Sequence, residues 1–92
     1  MSHIAGAQKE LIARINRIQG QLDGIREAVQ EGEECGSLLQ QVAACRGAIN
    51  GLMAEIIERE IRFHVLPADA RANSPEAQAA NEVVDYVRRY IK

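Results

Sequence analysis

In the first third of the chain the apolar residues Leu11, Ile15, Ile18, Leu22, Ile25 and Val29 are separated by steps of four, three, four, three and four. Steps that alternate between three and four return to one side of an α-helix and describe a heptad seam. "EGEECG" closes this helix, with Gly32 where a helix C-terminus favours glycine. The same spacing returns at Leu38, Val42, Cys45, Ile49, Leu52 and Ile56, while Leu39, Met53, Ile57 and Ile61 add a stripe beside it. This second helix reads through residues 33–65, interrupted by nothing stronger than isolated glycines, and its apolar face is wide enough to need cover on more than one side. Pro67 stops it. Ser74, Pro75 and Glu76 then read as an N-cap, a first-turn proline and an acid matched to the helix dipole. They open a third helix that runs to about Tyr90 and whose expected buried side is Val83, Val84, Val87, Tyr90 and Ile91.

The pattern is all-α, and residues 1–92 read as a single domain, without repeats or linkers. Three aromatics and no tryptophan leave Leu, Ile, Val and Ala to build the core, as in helical bundles. At 92 residues one core is only marginally sufficient, and association is the common remedy. A helical hairpin with two long apolar faces cannot cover itself. The expected solution is a three-helix protomer whose hairpin pairs with a second copy in an antiparallel four-helix-bundle dimer, the third helices packed outside.

Charge changes this picture in one respect. The formal net charge is −2, which argues against a nonspecific polycation, but the sum hides a division along the chain. Residues 1–26 hold Lys9, Arg14, Arg17 and Arg26 against Glu10 and Asp23, whereas residues 27–60 hold seven glutamates against Arg46 and Arg59. Arg14 and Arg17 lie off the Leu11 and Ile15 seam, Gln21 continues their side, and Lys9 and Arg46 extend the patch. Alone, such a patch is more often a solvated face than a DNA-binding one, but repetition across an oligomer multiplies its pull on a polyanion. No helix-turn-helix signature accompanies it. The N-terminus lacks the features of a signal peptide and no run is long enough to span a bilayer, so a cytoplasmic protein with reduced cysteines is expected.

Candidate chemistry sits at the two ends of the second helix. Cys35 stands at its start, where the helix dipole and free amides favour a thiolate, although Glu33 and Glu34 work against this. His64 stands four residues after Glu60, so an imidazole and a carboxylate project from one face and can serve one ion. With the Cys35 sulfur added, the donors suit a borderline transition metal such as Ni2+, Co2+ or Zn2+. Twenty-nine residues at about 1.5 Å each separate Cys35 from His64 by roughly 43 Å, so one chain cannot bring them together. Antiparallel pairing of the second helices can: Cys35 of one protomer then faces His64 of its partner. His3, in the arm before the first helix, and the terminal amine can close over the site. The bland readings are an ordinary surface histidine at a helix end and an incidental amine-and-imidazole chelate at "MSH". Cys45 occupies a core position and reads as a small hydrophobe. No zinc-protease motif, phosphate loop or nucleophile with a base is present, so the chain does not read as an enzyme. The glycines of "RGAING" are better explained by close helix approach than by phosphate binding.

At "RINRIQGQLDGI" and "CGSLLQQVAACRGAINGLMAEIIE" the chain resembles the CsoR/RcnR/FrmR family of bacterial repressors that sense copper, nickel or cobalt, or formaldehyde. The resemblance covers nearly the whole chain and rests on R-x-x-R-I-x-G-Q, C-x-x-x-L-Q-Q and R-G-A-x-N-G-L-M together. It implies a homotetramer built as a dimer of dimers, operator DNA as partner, and Arg14, Arg17 and Arg46 as DNA contacts. It also implies sensing by Cys35 of one protomer with positions 60 and 64 of another, often joined by position 3 and the N-terminus. The copper pattern needs histidine at position 60 and cysteine at position 64, and this chain has neither. The nickel/cobalt pattern matches at His3, Cys35 and His64 but has a histidine where this chain has Glu60. The formaldehyde pattern uses Cys35 with an N-terminal amine, usually of a proline at position 2, where this chain has Ser2. The expectation is a repressor responsive to Ni2+ or Co2+, with Cu(I) disfavoured by the harder oxygen of Glu60. Formaldehyde sensing through Cys35 and Ser2 is the alternative, and a metal carrier that does not touch DNA is a more distant one.

Overall fold

The computed structural model describes residues 8–67 and 69–91, and its regular elements are all helical. Helix α1 spans Gln8–Gln30, α2 spans Cys35–Glu60 and passes directly into a π-helical turn at Ile61–Val65, and α3 spans Pro75–Tyr90. His3 and Ser2 lie outside the described residues.

The α1–α2 hairpin turns at Gly32, whose φ of 72° lies in the left-handed region open to glycine. Its amide donates to the Val29 carbonyl at 3.1 Å and the Glu33 amide donates to the Ala28 carbonyl at 2.9 Å. This pair of bonds satisfies carbonyls that the end of α1 would otherwise leave open, and it reverses the chain within four residues. At α3 the expected cap is present: the Ser74 hydroxyl accepts from the Ala77 amide at 3.1 Å, with Pro75 as the first helical residue.

The core is thin. Leu11, Ile18 and Ala28 of α1, Cys45 and Ala54 of α2, and Ala77, Ala80 and Val84 of α3 are its buried apolar residues. Cys45 is indeed a core residue. Helix α3 differs from expectation: Val83 is 45% and Tyr90 74% exposed, and the helix lies on α2 through Ala77, Ala80 and Val84 instead. Small side chains let two helices approach closely, and that stripe outcompetes the bulkier valines and tyrosine. Much of the heptad seam is likewise uncovered within the protomer, with Leu22, Val29, Leu39, Val42, Ile49, Met53 and Ile56 all exposed. The Cα radius of gyration is 17.2 Å, against about 12 Å for a compact chain of this length. The extents are 55 × 27 × 14 Å, so the molecule is a slab little thicker than one helix.

Candidate functional site

Helix α2 positions the candidate ligands. Cys35 is its first residue and is exposed, with Glu34 in extended conformation as N-cap. Beside it Glu33 accepts hydrogen bonds from Ser37 and from Gln41, the latter at 2.9 Å, so one acid of the pair is tied into the first turns. At the other end the His64 Nδ1 lies 3.1 Å from Glu60 Oε2. Two donors each about 2.1 Å from one ion stand about 3.0–3.4 Å apart at octahedral or tetrahedral angles, so this separation has the bite of a chelate. Glu60 follows Cys35 by 25 residues, close to seven full α-helical turns, which returns it to the same side of α2. That side is also where Val42, Ile49, Met53 and Ile56 stand exposed. The donors therefore sit at opposite ends of one uncovered apolar stripe. Among the described residues no three His, Cys, Asp or Glu side chains gather within the protomer.

The final turn of α2 departs from the expected continuous α-helix. The Leu66 amide donates to the Ile61 carbonyl at 2.8 Å, five residues back, giving the π turn that carries Arg62 and His64. Behind it an ion-pair group joins the helices. Arg59 meets Glu10 of α1 and Glu55, each at 3.2 Å, Arg62 meets Glu58 at 3.1 Å, and Arg88 of α3 meets Glu55 at 3.2 Å and also Glu58. Burial works against the charge on Glu58, but hydrogen bonds from Arg88 and Arg62 outweigh it and hold the carboxyl below the usual glutamate range. The hydrogen bond to Glu58 raises Arg88 above its ordinary value. Sequence reading missed this group. Its signal was the i,i+4 pairing of Glu55 with Arg59 and Glu58 with Arg62, but nothing in the spacing announces Arg88.

The basic residues divide. Arg14, Arg17 and Gln21 of α1, with Ile18 and with Ala48 of α2, line a hollow of about 160 Å³. A β-carbon at Gly51 would stand 3.3 Å from Arg14 Nη1, so the guanidinium lies over α2 where α2 has no side chain. Close approach at "RGAING" is thus made by a side chain, and a β-carbon at Gly47 would meet nothing within 4 Å. Arg46 lines a different hollow, of about 280 Å³, with Leu22, Ile25, Val42, Cys45 and Ile49. Lys9 is exposed in the first turn of α1.

Residues 7–89 match the model of a family described as metal-sensitive transcriptional repressors. The chain belongs to that family. The repressor is 44% identical over 92 residues to an uncharacterized protein from the bioA 5' region of Serratia marcescens, covering all of both chains. It is 40% identical over 76 residues to the transcriptional repressor RcnR of Salmonella paratyphi B, covering 83% of this chain and 84% of the relative. Among solved structures it matches a glutamate-to-histidine variant of the formaldehyde-responsive regulator FrmR from Salmonella enterica serovar Typhimurium, with a TM-score of 0.63, 31% identity and coverage of 92% and 93%. The repressor is accordingly a regulator of transcription rather than an enzyme, and operator DNA is its partner. No helix among the described residues is long and apolar enough to cross a membrane.

Proposed function

We infer that the repressor leaves its operator when a transition metal, Ni2+ or Co2+ in preference to Zn2+ and Cu(I), joins Cys35 of one protomer to His64 and Glu60 of another. The observation that carries this reading is the placement of an exposed thiol and a chelating pair at opposite ends of one exposed apolar face. An antiparallel second copy laid on that face buries the stripe and closes two equal sites, and pairing of such dimers gives a homotetramer. His3 is the further nitrogen donor. When bound, the ion supplies a bridge between helices of two protomers. The chain's own residues do the rest: Glu60 and His64 hold a fixed bite, and Cys35 offers sulfur from a helix start. Arg14, Arg17 and Gln21 take DNA phosphates in the hollow beside Gly51, with Lys9 and Arg46 adding positive charge.

Formaldehyde is the second reading, favoured by the structural likeness to FrmR and by the exposure of Cys35. In it the Cys35 thiolate and the amine of the N-terminal segment at Ser2 are the reacting groups. One titration separates the readings: release of fluorescent operator DNA by Ni2+, Co2+, Zn2+, Cu(I) or formaldehyde, repeated on Cys35→Ala and His64→Ala. The metal reading expects both substitutions to abolish release. Release by formaldehyde alone, lost in Cys35→Ala and kept in His64→Ala, selects the second reading. Metal binding without any operator binding selects a carrier.

A further inference from the structure

Helix α3 supplies no donor to the proposed signal site and no arginine to the proposed DNA hollow, yet it reaches the place where the donors are held. Arg88 bridges Glu55 and Glu58, at 3.2 Å to Glu55 Oε2. Glu58 turns its other oxygen to Arg62 Nε at 3.1 Å. Glu58 and Arg62 lie two residues to either side of Glu60, and Arg62 shares the π turn with His64. The Glu55 and Glu58 side chains are only 16% and 23% exposed, so these contacts are partly shielded from water.

The turn needs such support. None of its five residues is buried, and π hydrogen bonding is rare compared with α, persisting where the surroundings hold it. Ile61, Val65 and Leu66 face Glu76, Ala79, Ala80 and Val83 of α3 across an open groove of about 310 Å³, so apolar packing there is loose. The polar side is closed instead, by a chain of alternating charge from Arg88 through Glu58 to Arg62.

We propose that Arg88 is a positioning residue for the signal site, acting through Glu58 and Arg62 to fix the π turn and so the direction in which Glu60 and His64 are presented. What the turn presents rests on the metal-site reading; that Arg88 fixes the turn does not. In this scheme α3 is a clamp on the ligand-bearing end of α2, and its loss loosens one half of each shared site while leaving the Cys35 half intact.

The test compares Arg88→Ala, Arg88→Lys and Val84→Ala in the full chain by amide hydrogen exchange and by Co2+ titration. Arg88→Ala should speed exchange of the Leu66 amide about fivefold beyond any change in global unfolding, the scale of losing partly exposed ion pairs. Arg88→Lys, which keeps the charge, should recover part of this. The effect of Arg88→Ala should disappear in a Glu58→Gln background. Val84→Ala removes α3 packing without touching the clamp and should raise exchange in step with global stability. Co2+ affinity should fall several-fold in Arg88→Ala and follow the Leu66 amide rather than the melting temperature. Exchange at Leu66 unchanged by Arg88→Ala, or changed only as Val84→Ala changes it, overturns the proposal. Wild-type protein that binds no Co2+ while Arg88→Ala still loosens the turn overturns the metal-site reading and leaves the clamp standing.

Discussion

Arg14 lies over Gly51, its Nη1 3.3 Å from where a β-carbon there would stand. The residue that gives the basic hollow its shape is therefore a glycine on the opposite helix. Gly51→Ala should raise helix stability by up to about 1 kcal/mol, since glycine is a poor interior helix residue and the flexible guanidinium can yield. The same substitution displaces Arg14 and should weaken operator binding several-fold. Thermal unfolding and fluorescence anisotropy should move in opposite directions.

Arg14→Ala and Arg17→Ala should each weaken operator binding and reduce the magnitude of the slope of log affinity against log salt by about 1, as expected for the loss of one phosphate contact. A slope unchanged by both substitutions would remove these residues from the interface. Lys9→Ala, on the first turn, should have a smaller effect in the same titration.

A site shared between protomers predicts complementation. Cys35→Ala and His64→Ala should each lack the complete site, but equal mixing after unfolding and refolding together should restore about a quarter of wild-type metal sites, because half of randomly paired dimers are mixed and each holds one intact site of two. The Co2+–thiolate absorption band reads this directly. A band retained by either homogeneous variant would count against sharing.

The uncovered stripe makes a simpler prediction. Ile49 lies near the midpoint between Cys35 and His64 and is 43% exposed in the protomer. Ile49→Glu should shift light scattering toward the monomer or toward unfolding at micromolar concentration, and should abolish high-affinity metal binding without altering any donor. A dimer of undiminished stability would place the interface elsewhere.

Ser74→Ala removes the acceptor that caps α3 and should lower stability by about 1 kcal/mol in chemical denaturation. A Ser74→Asp variant, which restores an acceptor, should recover most of the loss.

The sequence was informative where one local rule decides the outcome. Gly32 and Ser74 announced their turn and cap because each depends on a few neighbouring backbone groups. Cys45 was legible because its place in the period matched a core position. The buried side of α3 was not, because large apolar residues and small ones competed for the same neighbour, and the distance between helices, which no periodicity encodes, decided for Ala77 and Ala80. The π turn was hidden for a related reason: its residues have an ordinary helical pattern, and its hydrogen bonding departs only in reach. Of the candidate site, Cys35, Glu60 and His64 were visible as residue types at helix ends, and the fixed pairing of the last two followed from their spacing. Arg88 was not visible, because its partners stand about thirty residues earlier and meet it only after the chain turns back.

The π turn at Ile61–Val65 has a consequence for how such a sensor can change over generations. A π turn holds one residue more than an α turn, so a single-residue deletion there can be absorbed by a return to ordinary helical hydrogen bonding rather than by a break in the rod. Such a deletion leaves the thiol at the far end of α2 untouched and rotates whatever follows by roughly 100°. The histidine end of the helix is thus a place where chain length, as well as residue identity, can retune which ligand is held.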